Sequence, residues 1–186
     1  MSRHKKQDKI IVVDIESTCW DTSPPRGEES DIIEIGICPI NVKTLRPEEK
    51  RSILVTPTRS NISDFCTQLT TITQEQIDEH GISLAEACAI LKEEYDTTAR
   101  LWASWGDYDR NQFNKVCRAH KIWYPFGSRH LNAKTLFAIA AGLRREVGLK
   151  EACEICKIPM EGTHHRGDSD AWNIARILCH ILKKTR

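Results

Sequence analysis

Apolar and polar positions along the chain set out the elements first. Residues 9–15 (KIIVVDI) form a short β-branched run, which predicts a buried strand. The run ends on Asp14, Ile15 and Glu16. Pro24, Pro25 and Gly27 mark a loop over 23–29. Residues 31–40 (DIIEIGICPI) predict a second strand and 51–56 a third, with a polar turn around 46–50 between them. Three successive strands predict an antiparallel meander. Helical spacing then takes over. Residues 73–79 predict a short helix, and 83–95 predict another. The latter opens on the capping box Ser83-Leu-Ala-Glu86 and lines up Leu84, Ala87, Cys88 and Leu91. Residues 100–104 (RLWAS) predict a fourth strand, and 130–133 are a candidate fifth. Helices are expected over 109–120, 134–142 and 149–157, the last closed by Pro159. In the final helix, 169–183, Ile174, Ile177, Leu178 and Ile181 fall at i, i+3, i+4 and i+7. Strands, helices, a strand and more helices, in that order, predict an α/β fold with a mixed sheet.

Length and composition narrow this picture. The 186 residues, 40% hydrophobic and 28% charged, suit one domain with a full core. We expect a basic segment over 1–8 and a single domain over 9–186. Basic and acidic side chains number 27 and 26, for a net charge of +1. Bulk charge therefore does not supply tight nucleic-acid binding. A polyanion would have to be held locally, by a few cations or by metal ions. Local basic clusters are Arg3, Lys5, Lys6 and Lys9, then Arg144 and Arg145, then Lys183, Lys184 and Arg186. Each reads first as solvated surface. Eight cysteines lie scattered through apolar segments, and no signal-peptide pattern or membrane-length apolar run is found. The expectation is a cytoplasmic protein with reduced thiols and no membrane association. Cys153-x-x-Cys156 is a weak zinc or redox signal and reads as buried helix cysteines.

Three sets of acids stand out against this background. Asp14 and Glu16 are two apart on a core strand, so they share a face. Two close carboxylates repel and raise each other's pKa unless a cation joins them. A divalent metal resolves that conflict, and oxygen ligands favour Mg²⁺ or Mn²⁺. A strand end that reaches solvent would also tolerate them. Asp107 and Asp109 follow the fourth strand where a helix begins, a place that favours acids in any protein. Asp170 lies four residues before Ile174 and so on the inward stripe of the last helix. His165 precedes it by five residues, with His164 beside it. A loop histidine next to a metal-bound carboxylate suits general base catalysis.

Taken as an ordered set, these motifs resemble the DnaQ-like (DEDDh) 3'→5' exonucleases, and among them the Eri/KapD-like enzymes. The segments VVDIESTCW (12–20), IIEIG (32–36), SDFCTQLTTITQEQI (63–77), SWGDYDRNQF (104–113) and HRGDSDAWNIARI (165–177) carry the likeness. The resemblance implies an RNase H-like fold with a mixed five-stranded sheet flanked by helices. It implies that Asp14, Glu16, Asp109 and Asp170 bind two Mg²⁺ ions, replaceable by Mn²⁺, and that His165 is the general base. It places Thr18, Phe65, Leu69 and Tyr108 among the substrate contacts, although core packing competes for Phe65 and Leu69. The implied substrates are single-stranded 3' ends, RNA before DNA, cut to 5'-mononucleotides; protein partners are unspecified. His164 and Asp107 compete with His165 and Asp109. Two departures from the family pattern occur. Ser169 stands where an acid is common, and Thr71 where a glycine is common. The alternatives are a DNA-directed proofreading or repair exonuclease, or a non-catalytic nucleic-acid-binding protein.

Overall fold

The computed structural model describes residues 5–185, so Arg3 and Arg186 of the basic clusters lie outside the described residues. Six strands form one mixed sheet: β1 (Lys9–Ser17), β2 (Ile32–Asn41), β3 (Arg46–Pro47), β4 (Arg51–Leu54), β5 (Leu101–Ser104) and β6 (His130–Asn132). The order is β3-β2-β1-β5-β6, and β4 pairs with the other half of the β2 edge. The meander is antiparallel as expected; β5 and β6 run parallel to β1. The sheet has one strand more than the five expected. Arg46–Pro47 fell in the expected polar turn, but Pro47 and Arg46 lie opposite Ile40 and Asn41.

Among the described residues, seven helices flank the sheet: α1 (Asp64–Thr70), α2 (Gln74–His80), α3 (Leu84–Glu93), α4 (Tyr108–Ala119), α5 (Ala133–Ala140), α6 (Leu149–Cys156) and α7 (Gly167–Lys183). Only α1 has no counterpart in the sequence pattern. Alternation along β1 decides which side each residue serves. Ile11, Val13 and Ile15 face Leu91, Phe113 and Val116 of α3 and α4. Ile10 and Val12 face α5, α6 and α7, packing with Phe137, Ala152, Ile174 and Leu178. Asp14 and Glu16 continue this second series, so they emerge on the α7 side of the sheet.

α7 is held by its apolar stripe. Ile174, Ile177 and Leu178 are fully buried, each contributing about 1.5–3 kcal/mol. Its first turn also crosses the sheet at very close range. A Cβ on Gly36, which pairs with Asp14, would lie 1.8 Å from the Gly167 carbonyl carbon. Only glycine permits that approach, and the approach sets the depth of Asp170. No helix among the described residues is long and apolar enough to cross a membrane.

Candidate active site

Glu34 braces the segment that leads into α7. It lies opposite Glu16 in the β1–β2 ladder and is wholly buried. Arg166 grips it with two donors, Nε at 3.1 Å and an Nη at 2.9 Å. The Gly167 N–H donates to it at 2.7 Å, and the Ser52 hydroxyl at 2.5 Å. Glu34 therefore takes one of the free N–H groups that open α7, which has no side-chain cap of its own. The effect is to lock the 164–167 loop and the first turn of α7 onto β2.

Asp14, Glu16, Asp109 and Asp170 meet along one cleft of about 350 Å³. His164, His165 and Tyr108 share its walls. Oxygens of Asp14, Glu16 and Asp170 all lie within 4.8 Å of one another. Asp109 lies beside this cluster, in the first turn of α4, where its Oδ1 accepts the Ile15 N–H at 3.0 Å. Asp107 points elsewhere. It is half exposed and binds Arg110 at 3.0 Å and Asn132 at 3.2 Å. The two histidines are stacked, with ring centroids 4.0 Å apart. His164 brings Nδ1 to 3.0 Å from Asp170 Oδ2, while His165 gives the same oxygen its backbone N–H at 3.0 Å.

The electrostatics are those of a site short of positive charge. Burial, then repulsion from Asp109, Glu16 and Asp170, pushes Asp14 well above the usual carboxylate range. Burial, then Asp170 and Glu34, raises Glu16 to about 8. Burial raises Asp109 to about 6 against the pull of the Ile15 N–H. Burial, helped by His164, lowers His165. Among the described residues no lysine or arginine forms an ion pair with any of the four acids. Three converging carboxylates without a fixed counter-charge are a fitting donor set for a hard divalent cation.

The expected substrate contacts divide. Phe65 and Leu69 stand one turn apart on α1 and are 38% and 37% exposed, so neither is a core side chain. Tyr108 is 58% exposed at the cleft wall. Thr18 lies in the segment just after the first two acids. It is buried, its hydroxyl is shared between Ser60 Oγ at 2.6 Å and the Asp31 N–H at 2.9 Å, and its side chain shapes the 17–31 loop from within. Glu34 and Arg166 are not among the residues that the sequence pattern marks. The visible signal was one acid inside an otherwise apolar strand. No cluster of three or more metal-ligating side chains among the described residues includes Cys153 or Cys156, and Cys153 is buried.

The exonuclease (RNase T) family model matches residues 11–178, from β1 into the last turns of α7. The chain belongs to this exonuclease family. Human 3'-5' exoribonuclease 1 is 29% identical over 185 residues, covering 95% of this chain and 53% of that protein. The 3'-5' exonuclease Snipper of Drosophila melanogaster is 25% identical over 196 residues, covering 94% and 69%. The chain thus spans about half the length of the human relative. The solved nuclease domain of 3'hExo, a DEDDh family member bound to rAMP, superposes with a TM-score of 0.86 at 26% identity, covering 98% of this chain and 95% of that one. A structure described as 3'-end specific recognition of histone mRNA stem-loop by 3'-exonuclease gives 0.84 at 27%, covering 97% and 65%. The fold is the RNase H-like fold of the DEDDh exonucleases.

Proposed function

We propose that the protein is a metal-dependent 3'→5' exonuclease that hydrolyses the terminal phosphodiester of single-stranded RNA and releases 5'-mononucleotides. The observation that carries the reading is the convergence of Asp14, Glu16 and Asp170 within 4.8 Å, beside Asp109 and a histidine pair, in one open cleft. The four acids would hold two divalent cations, Mg²⁺ by donor hardness and Mn²⁺ as a substitute. When bound, such ions polarise the phosphoryl group and make water more acidic.

The chain's own residues do the rest. His165 is the general base. Burial and its stacked neighbour hold its ring neutral at neutral pH, ready to accept the proton of the attacking water. Asp170, by accepting the His165 N–H, fixes the loop that aims the ring. Tyr108, Phe65 and Leu69 offer flat or apolar surface to the last bases without reading their identity. The names of the relatives, exoribonucleases and a stem-loop complex, support RNA over DNA. Residues 9–186 act as one catalytic domain after a basic 1–8 segment. The free thiols at all eight cysteines support a reducing, cytoplasmic setting.

The test is digestion of 5'-labelled single-stranded RNA and its DNA counterpart with Mg²⁺, beside Glu16→Ala. The expected result is a ladder shortening from the 3' end, faster on RNA, and lost with chelator or in the variant. Failure to degrade either strand with Mg²⁺ or Mn²⁺ would overturn the enzyme reading in favour of a binding protein.

A further inference from the structure

Of the five tryptophans, four are at least partly buried; Trp123 is 86% exposed. It is not on a loose tip. Its neighbours Ile122 and Tyr124 pack against the core cluster beneath α3 and α4, and the Ile122 N–H bonds the Cys117 carbonyl at 2.8 Å. Tyr124 meets Phe126 edge-on, centroids 5.5 Å apart. The loop is therefore pinned on both sides while the indole is held outward, at a cost in exposed apolar area that folding does not explain.

Beside the ring lies a shallow groove of about 200 Å³, walled by Asn114, Arg118, Lys121, Trp123 and Tyr124. Arg118 and Lys121 are exposed, and among the described residues neither has a carboxylate partner. Their neighbours on the helix are neutralised: Arg110 by Asp107 at 3.0 Å and Lys115 by Glu29 at 3.6 Å. A cation in the last turn of a helix is favourable anywhere, which accounts for Arg118 alone. It does not account for an outward tryptophan, an amide and a second free cation around one groove. Stacking ring, amide and paired cations are the chemistry that holds a base and its phosphates.

The groove and the cleft lie at opposite ends of one helix. α4 begins at Tyr108 and Asp109 in the site and ends at the groove, a rise of about 18 Å over 12 residues. At roughly 3.4 Å per stacked nucleotide, this is about five nucleotides. We propose that the Trp123 groove is a second nucleic-acid-binding site, which holds the same strand about five nucleotides upstream of the 3' end in the cleft. It solves the charge problem posed by a net charge of +1: affinity for a long strand comes from a distant local anchor.

This proposal rests on the exonuclease reading, and the experiment separates the two. Wild type, Trp123→Ala, Trp123→Phe and Arg118→Gln/Lys121→Gln are compared on fluorescein-labelled RNAs of about 20 and about 4 nucleotides, too short to reach the groove. Binding is read by anisotropy in chelator, hydrolysis with Mg²⁺. Trp123→Ala is expected to weaken binding of the longer RNA about tenfold, and the long-to-short ratio of kcat/KM to fall in step. Trp123→Phe restores most of both. The double variant lowers the slope of log Kd against log salt by about 1.4. A wild-type enzyme that digests both RNAs, with binding and ratio unmoved by every variant, overturns the groove proposal alone and leaves the ring to a protein partner. A wild-type protein that binds the longer RNA through Trp123 but digests neither overturns the exonuclease reading and leaves the groove standing.

Discussion

Two adjacent histidines face one carboxylate, and their geometry gives them different work. His164 spends Nδ1 on Asp170 at 3.0 Å, so its ring is tied to a proposed metal ligand. His165 spends only its backbone N–H there and stands at a positive φ of 62°, which leaves its ring for the cleft. His165→Ala is expected to lower kcat by about 10²–10⁴ with little change in KM, as loss of a general base does. His164→Ala should instead raise the Mg²⁺ concentration needed for half-maximal rate. Steady-state rates titrated with Mg²⁺ distinguish them, and the reverse pattern would move the base to His164. The acids were legible in part: strand alternation put Asp14 and Glu16 on one face, helical spacing put Asp170 inward, and the family resemblance joined them into one set. Glu34 was not, because its meaning lies in Arg166, 132 positions away. The setting of Thr18 was hidden for a related reason: its loop closes on Ser60 and Asp31, and sequence alone does not show a hydroxyl already occupied.

At the scale of elements, the pattern found short elements that carry a local signal and missed those without one. α2 and α3 announce themselves through capping boxes at Thr73 and Ser83. α1 has seven residues, buries only Cys66 and Thr70, and is capped by Ser63 without a reciprocal acid. β3 is two residues, one of them proline. Yet α1 carries Phe65 and Leu69, and its end matters. Thr71 closes it with φ 62°, ψ 9°, and gives its N–H to the Thr67 carbonyl at 2.8 Å. The glycine common at this point would adopt that conformation freely; a β-branched residue there costs about 1–2 kcal/mol. Part of that saving is offset by glycine's greater freedom in the unfolded chain. Thr71→Gly should therefore stabilise the protein by about 0.5–1 kcal/mol, a rise of about 2 °C in Tm. Calorimetry checks it. A fall in Tm would mean that the Thr71 side chain makes a stabilising contact that outweighs the strain.

Over the whole molecule, nearly balanced charge hides an uneven distribution. Glu16 and Asp109 sit at about 8 and about 6 instead of an ordinary 4.5 and 3.8, first because of burial, and Asp14 is raised with them. The sign follows from linkage. Acids with raised folded-state pKa keep more protons in the folded than in the unfolded chain, so without metal, stability falls as pH rises. That contribution is full below about pH 4 and is lost progressively up to about pH 8, the window set by these values. In chelator, Tm should decline between about pH 5 and 8, by on the order of 5 °C after allowing for solvent screening. Mg²⁺ supplies the absent counter-charge only when the acids are ionised. It should therefore raise Tm most near pH 8 and little near pH 5. Glu16→Gln removes one of the raised acids, and should flatten the chelator profile while reducing the Mg²⁺ response. Thermal scans over that range, with chelator and with Mg²⁺, measure both effects together. A chelator profile that rises with pH would show that the acids carry a protein counter-charge, and the case for a metal-binding cluster would go with it.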